Sequence, residues 1–143
     1  MKLSITRLNP SVTLPEYKTP GSVGFDLAAE ETTLVASKTI ALIPTGLVVK
    51  VPEGFMLMLA SRSSTPLKKG LSPPHGIGVL DQDYCGPNDE VKIMVYNFTD
   101  SPVTIERGER IAQGVVVRID RCEIIESSLT TDQSRGGYGS TGQ

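Results

Sequence analysis

Short runs of β-forming residues, separated by glycines and prolines, are the main pattern of this chain. In the clearest run, Val91, Ile93 and Val95 alternate with Lys, Met and Tyr, which is the period of a half-buried strand. Strands are predicted at residues 2–8, 39–43, 47–51, 55–59, 91–97 and 110–119. Many short strands divided by turn residues predict an all-β domain, built as a sandwich, a barrel or a jelly roll.

Two segments depart from the strand pattern. A short helix is predicted over residues 66–69, with Thr65 as its N-cap, Pro66 in its first turn and Gly70 after its last. After about Glu126 the apolar pattern stops, and the remaining residues are rich in Ser, Thr and Gly. We therefore predict one domain over residues 1–126 and a flexible tail over residues 127–143.

Length and composition narrow the class of protein. The 143 residues suit one domain with a real core, and the net charge of -2 argues against a basic face for nucleic acid or a membrane surface. Cys85 and Cys122 are too few for a disulfide scaffold or a zinc site. The first residues lack the apolar core of a signal peptide, and no apolar run reaches membrane-spanning length. A soluble cytoplasmic or nuclear protein is expected.

Two stretches in the first half of the chain carry charge in unusual places. In residues 20–27, Asp26 lies between large apolar residues on a predicted strand, where it needs a partner, a metal or water. Taken alone, this residue is better explained as an outward-facing strand position. In residues 60–66, Arg62 and the three hydroxyl side chains that follow it lead into the predicted helix, an arrangement that favours a bound phosphate slightly over a plain capping segment.

Three later stretches complete the set of candidates. Residues 75–84 combine two glycines with Asp81, Asp83 and Tyr84, and they suit a small-molecule site or an acidic hairpin turn about equally. Residues 108–114 form a turn that enters a strand. Residues 135–142 contain an arginine, an aromatic ring and two hydroxyls, the groups needed to close over a nucleotide, although composition alone favours a disordered end.

These five stretches, in this order, closely resemble the five motifs of the homotrimeric dUTPase family. The resemblance covers residues 20–142. It implies a jelly-roll-like, distorted β-barrel subunit and a homotrimer whose three active sites lie between subunits. It also implies hydrolysis of dUTP to dUMP and pyrophosphate with Mg²⁺ on the triphosphate, a reaction that keeps uracil out of DNA and supplies dUMP for dTMP synthesis.

The resemblance also implies a role for each matching residue. Asp81 matches the aspartate that orients the attacking water, Tyr84 the tyrosine that packs under the deoxyribose, and Asp26 the aspartate that holds Mg²⁺ through water. The implied substrate contacts are Arg62, Ser63 and Ser64 in the phosphate turn, His75, Gly78, Val79 and Leu80 in the uracil segment, Lys92 at the nucleoside, Gln113 near the α-phosphate, and Arg135, Tyr138, Ser140 and Thr141 in the tail.

The chain departs from the family pattern in four places. Cys85 stands where arginine commonly follows the tyrosine, and residues 87–90 form a small insertion that shifts the match of Lys92. Ser64 replaces a glycine that often follows the Arg-Ser pair. The tail is shorter than the common form between Arg135 and Tyr138, so the match of Arg135 is the least secure.

Two other functions compete with dUTP hydrolysis. A dCTP deaminase or a bifunctional relative shares the fold and the trimer, but it needs a carboxylate beside C4 of the pyrimidine, and the uracil segment has no separate candidate. A non-catalytic trimer that senses nucleotides would not need Asp81 or a full tail. The five motifs therefore favour the dUTPase.

Overall fold

A computed structural model of the chain describes residues 1–128 and 133–137. Eleven strands and one short helix form in this part of the chain. In chain order they are β1 Ser4–Arg7, β2 Phe25–Ala28, β3 Thr33–Val35, β4 Ile40–Pro44, β5 Leu47–Lys50, β6 Phe55–Ser61, α1 Ser64–Lys69, β7 Leu71–Ser72, β8 Gly78–Leu80, β9 Lys92–Asn97, β10 Val103–Ile105 and β11 Arg110–Arg118. The predicted all-β architecture is confirmed. Within residues 1–128 and 133–137, no helix is long and apolar enough to cross a membrane.

The strands pair in four antiparallel groups. The largest sheet has the order β2-β11-β6-β8, and a second sheet has the order β4-β9-β7. Two further pairs, β1-β5 and β10-β3, complete the arrangement. Leu27 and Leu57 of the large sheet lie in one buried cluster with Ile43 and Val95 of the second sheet. A single apolar core is therefore shared by both sheets, as the alternating pattern requires.

The helix begins earlier than its sequence predicts. Helix α1 starts at Ser64, and Ser63 holds the N-cap position without a side-chain capping hydrogen bond. The prediction of Thr65 as N-cap was wrong, because its hydroxyl donates instead to the carbonyl of Ile111 at 2.7 Å and the side chain is buried. That bond fastens the helix to β11. The predicted end is confirmed, since Gly70 takes a left-handed φ of 64°.

Gly70 is held in place by two separate constraints. Its φ of 64° favours glycine, and a Cβ added there would lie 2.1 Å from Cγ2 of Thr99. Thr99 has little freedom to yield, because its hydroxyl is within hydrogen-bonding distance of Asn97 Oδ1 at 2.7 Å and of the Ser101 carbonyl at 2.8 Å. The turn after α1 therefore depends on the missing side chain.

We predict that Gly70→Ala lowers the free energy of unfolding by about 2–4 kcal/mol, because backbone strain and overpacking act together. Gly54→Ala is the matched control, since Gly54 has a φ of +77° and no atom within 4 Å of an added Cβ. That variant should lose only about 1–2 kcal/mol. Urea denaturation at equal protein concentration measures both, and equal losses would show that the Thr99 contact is irrelevant.

Candidate functional site

Two arginines enclose the carboxylate of Asp26. The Nε of Arg62 lies 2.9 Å from Oδ1, and Nη1 of Arg110 donates to Oδ2 at 2.9 Å. Nη1 of Arg62 also donates to the main-chain carbonyl of Arg110 at 3.0 Å. Asp26 is 14% exposed, whereas the side chains of Arg62 and Arg110 are 30% and 45% exposed. The cluster carries a net positive charge and remains open to an anionic ligand.

Neighbouring strands of the large sheet bring this cluster together. Asp26 on β2 pairs with Gln113 on β11, and Gln113 also pairs with Ala60 on β6. Arg62 follows the last residue of β6. An ideal Cβ on Gly24 would lie 3.1 Å from Oε1 of Gln113, so the glycine leaves room for that amide. Asp26, Arg62 and Gln113 therefore gather at one end of the sheet.

A β-bulge turns Arg110 toward Asp26. Ala112 pairs with Leu27, but the next pair along the strands joins Arg110 to Ala28, so β11 contains one extra residue, Ile111. In a regular ladder Arg110 would lie opposite buried Ala29, on the core face of the sheet. The bulge therefore moves Arg110 to the face that Asp26 occupies.

The serines of the phosphate turn lie next to Arg62. Ser63 is exposed and its hydroxyl does not cap the helix, while Ser64 is half-buried in the first turn of α1. The main chain of this turn is tied to the bulge, since the N–H of Arg62 donates to the carbonyl of Ile111 at 3.4 Å. The turn and the arginine cluster therefore form one structural unit.

A cavity of about 450 Å³ lies beside the cluster. Asp26 and Arg110 line it together with the segment that precedes β2. Lys18 lowers the pKa of Glu16 in that segment, first through a side-chain hydrogen bond and then through its charge. The cavity wall thus carries charges of both signs beside the arginines.

The predicted uracil segment forms an edge strand. Strand β8 pairs with β6 and is the last strand of its sheet, with Gly78 opposite Leu59. A Cβ on Gly78 would lie 3.1 Å from that of Leu59, so the glycine permits the close pairing. Val79 is 55% exposed, Leu80 is half-buried and His75 is exposed. Main-chain groups on the outer edge of β8 are therefore available to a ligand.

The predicted water-orienting and sugar-contacting residues follow β8 directly. Asp81 and Tyr84 are both exposed, and the Tyr84 N–H donates to the Asp81 carbonyl at 3.4 Å. The hydroxyl of Tyr84 donates to the carbonyl of Glu90 at 3.2 Å, and the Glu90 carboxylate accepts the N–H of Gly46 at 2.8 Å. Lys92 Nζ lies 3.8 Å from the same carboxylate. Glu90 therefore joins the loop of residues 87–90 to Gly46 and holds the hydroxyl of Tyr84.

One chain does not bring the two groups of residues together. Gln82, beside Asp81, donates to the Phe55 carbonyl at the start of β6, whereas Arg62 follows the end of that strand. At about 3.3 Å per residue, the strand separates them by roughly 20 Å. In the tail, Arg135 is exposed, while Tyr138, Ser140 and Thr141 lie outside the described residues. The phosphate turn and the water-orienting residue thus lie at opposite ends of β6.

The sequence profile of the dUTPase family matches residues 11–142. The chain belongs to the dUTPase family. A deoxyuridine 5'-triphosphate nucleotidohydrolase of Hydrogenobaculum sp. is 37% identical over 145 residues, covering 99% of each chain. One of Wolinella succinogenes is also 37% identical over 145 residues, covering 100% of this chain and 95% of the relative.

Solved dUTPases share the fold. The Streptococcus mutans dUTPase matches with a TM-score of 0.78 at 33% identity, over 86% of this chain and 99% of that one. The Staphylococcus bacteriophage 80alpha dUTPase with dUPNHPP matches with a TM-score of 0.85 at 26% identity, over 99% of both chains. The predicted jelly-roll-like architecture of the dUTPase subunit is confirmed.

The donor set around Asp26 is compatible with a water-mediated metal contact. Each carboxylate oxygen lies 2.9 Å from an arginine nitrogen, but each also has a lone pair left that can accept a hydrogen bond from water. Among residues 1–128 and 133–137, no group of three or more His, Cys, Asp or Glu side chains is arranged to hold a metal ion. Mg²⁺ is commonly held by few protein groups together with phosphates and water, so these residues fit that ion.

Sequence reasoning missed two residues of the candidate site, Arg110 and Glu90. The stretch around Arg110 has the pattern of an ordinary strand start, although the successive apolar residues Ile111 and Ala112 interrupt the alternation, as a bulge does. Glu90 lies in the small insertion over residues 87–90. Its contacts with Gly46 and Tyr84 join residues distant in sequence, so no local pattern reveals them.

Proposed function

We propose that this chain hydrolyses dUTP to dUMP and pyrophosphate by attack of water at the α-phosphorus. The reaction limits uracil incorporation into DNA and supplies dUMP for dTMP synthesis. It suits a cytoplasmic or nuclear setting, where deoxynucleotides are used. One observation carries the proposal most directly. In a chain matched by the dUTPase family over residues 11–142, the edge strand β8 leads straight into exposed Asp81 and Tyr84.

The arginine cluster supplies the positive charge that a triphosphate needs. Hydrolysis of a phosphoanhydride depends on positioning and charge neutralisation more than on covalent chemistry. Arg62 contacts phosphate oxygens, the hydroxyls of Ser63 and Ser64 donate beside it, and Gln113 lies near the α-phosphate. Asp26 would hold Mg²⁺ through water, and that ion would supply further neutralisation of the triphosphate.

The edge of β8 reads the base. Main-chain groups of residues 78–80 pair with uracil, whose hydrogen-bonding edge differs from that of cytosine at position 4. A cytosine base would leave buried polar groups unpaired, which makes its rejection strong. His75, which precedes this segment, and Lys92 on β9 line one pocket with Gly78, and they complete the nucleoside contacts. Tyr84 packs under the deoxyribose and leaves no room for a 2′-hydroxyl.

Asp81 orients the water and accepts its proton. Its carboxylate is exposed at the end of β8, so water and ligand both reach it. A positioned carboxylate in such a role contributes roughly 10²–10⁴-fold to the rate. The side chain therefore has to face the α-phosphorus when substrate is bound.

The complete site is shared between copies of the chain in a homotrimer. The separation of roughly 20 Å along β6 means that Asp81 and Arg62 of one chain cannot serve the same α-phosphate. A symmetric oligomer solves this problem by placing the β8 edge of one copy against the arginine cluster of the next. The tail of residues 127–143, with Arg135, Tyr138, Ser140 and Thr141, closes over the nucleotide.

We predict that the purified protein releases pyrophosphate from dUTP with Mg²⁺, and that Asp81→Asn lowers kcat by roughly 10²–10⁴-fold while binding of dUPNHPP persists. Asparagine keeps the size of the side chain but loses the proton acceptor. Pyrophosphate release and calorimetry measure the two effects. Asp83→Asn is the matched control, since Asp83 lies in the same exposed turn and has no proposed role. Near-normal turnover by the Asp81 variant, or release of ammonia from dCTP by the wild type, would contradict the proposal.

We predict that Tyr84→Ala reduces the preference for dUTP over UTP by about 10–200-fold, because a ribose hydroxyl then fits where the ring lay. Tyr84→Phe should retain most of the preference, since it loses only the hydrogen bond to Glu90. Comparison of kcat/KM for the two nucleotides measures the preference. An unchanged preference in the alanine variant would show that another group excludes ribose.

We predict that mixed trimers of Asp81→Asn and Arg62→Gln chains turn over dUTP faster than either variant does alone. In a random mixture, about a quarter of shared sites combine an intact Asp81 with an intact Arg62 from different copies. Co-expression with two affinity tags yields the mixed trimers, and pyrophosphate release measures their activity. A mixture as inactive as its parents would show that each site uses both residues of one chain.

A further inference from the structure

We propose that Arg110 is a positioning residue for Arg62 and acts on it through Asp26. The inference rests on the proposed function, in which Arg62 contacts the triphosphate. Three contacts close a ring: Arg62 Nε to Asp26 Oδ1, Asp26 Oδ2 to Arg110 Nη1, and Arg62 Nη1 to the Arg110 carbonyl. The distances are 2.9, 2.9 and 3.0 Å. Each member of the ring is therefore held by the other two.

The ring determines which edge of the Arg62 guanidinium meets the ligand. Nε and Nη1 are both engaged by protein groups, so the plane of the guanidinium is fixed. Nη2 has no hydrogen-bond partner among residues 1–128 and 133–137, which leaves it free for a phosphate oxygen. A long arginine side chain otherwise has many conformers, and ordering it in advance reduces the entropy lost on binding.

Arg110 keeps Asp26 in the orientation that the ring needs. The carboxylate is only 14% exposed, so an oxygen without a partner there is unfavourable. Without the Arg110 side chain, Asp26 turns to satisfy both oxygens, and its contact with Arg62 Nε weakens. The main-chain bond from Arg62 to the Arg110 carbonyl survives such a substitution. The side-chain substitution therefore tests the carboxylate link alone.

The β-bulge at Ile111 supports a specific role for this arginine. A regular strand would direct Arg110 into the core, where a charge is unfavourable, so the extra residue and the arginine depend on each other. The carbonyl of Ile111 accepts hydrogen bonds from the N–H of Arg62 and the hydroxyl of Thr65. The bulge thus joins Arg110 to the phosphate turn through the main chain as well.

A double-mutant cycle tests the proposal. We predict that Arg110→Gln lowers kcat/KM for dUTP by roughly 10–100-fold, as misplacement of a substrate-orienting group does. In an Arg62→Gln background, the same substitution should lower it less than about threefold, because its target is already absent. Binding of dUPNHPP, followed by calorimetry, should show the same dependence. Binding of deoxyuridine, which has no phosphate, should not change.

Arg118→Gln is the matched control, because Arg118 is exposed at the far end of β11 and should leave turnover unchanged in both backgrounds. Melting temperature and trimer mass check the fold of each variant. If Arg110→Gln lowers the melting temperature or the trimer mass, the cycle is run with Arg110→Lys, which keeps the charge.

The possible results separate the positioning role of Arg110 from the proposed hydrolysis of dUTP. A loss of equal size in both backgrounds would overturn the proposal, since Arg110 would then act on the substrate directly or through the whole fold. An unchanged kcat/KM in Arg110→Gln would also overturn it. Absence of dUTP turnover in the wild-type protein would instead refute the proposed function and not the ring itself, whose effect on dUPNHPP binding is measured independently.

Discussion

The pairing of β11 along both of its edges is the constraint on which the site depends. One edge bonds to β2 and the other to β6 over residues Ala112 to Arg118, so a single strand fixes the relative positions of two motifs that are distant in sequence. Asp26 and Arg62 meet because of this double pairing. The sheet thus brings together the residues of the arginine cluster, which no local segment of the chain is able to do.

Sequence patterns predicted those elements whose local signal agrees with their environment. Strand β9 has one buried face, so Ile93 and Val95 alternate with more exposed neighbours, and the period reveals the strand. The sequence also predicts Gly70 at the end of α1, because a position with a left-handed backbone favours glycine. The motifs also indicated the family, since Asp81 and Tyr84 stand at a characteristic spacing from the other stretches.

Other features were missed because pairing or tertiary contacts decide them. Strands β3, β7, β8 and β10 have only two or three residues, which is too short for a period to emerge. Thr65 has the residue type of an N-cap, but its hydroxyl bonds to a neighbouring strand. The distance between Asp81 and Arg62 along β6 also depends on the fold, so residue types alone do not show that one chain holds only part of a site.

Because of the bulge at Ile111, the orientation of Arg110 depends on the number of residues in this stretch more than on their type. Replacing Ile111 by another apolar side chain keeps the count of residues, and Arg110 still faces Asp26. An in-frame deletion of one residue would restore the regular ladder and turn the guanidinium toward the core. Related chains that diverge here should therefore accumulate substitutions and exclude insertions and deletions, even though the segment adjoins a surface turn.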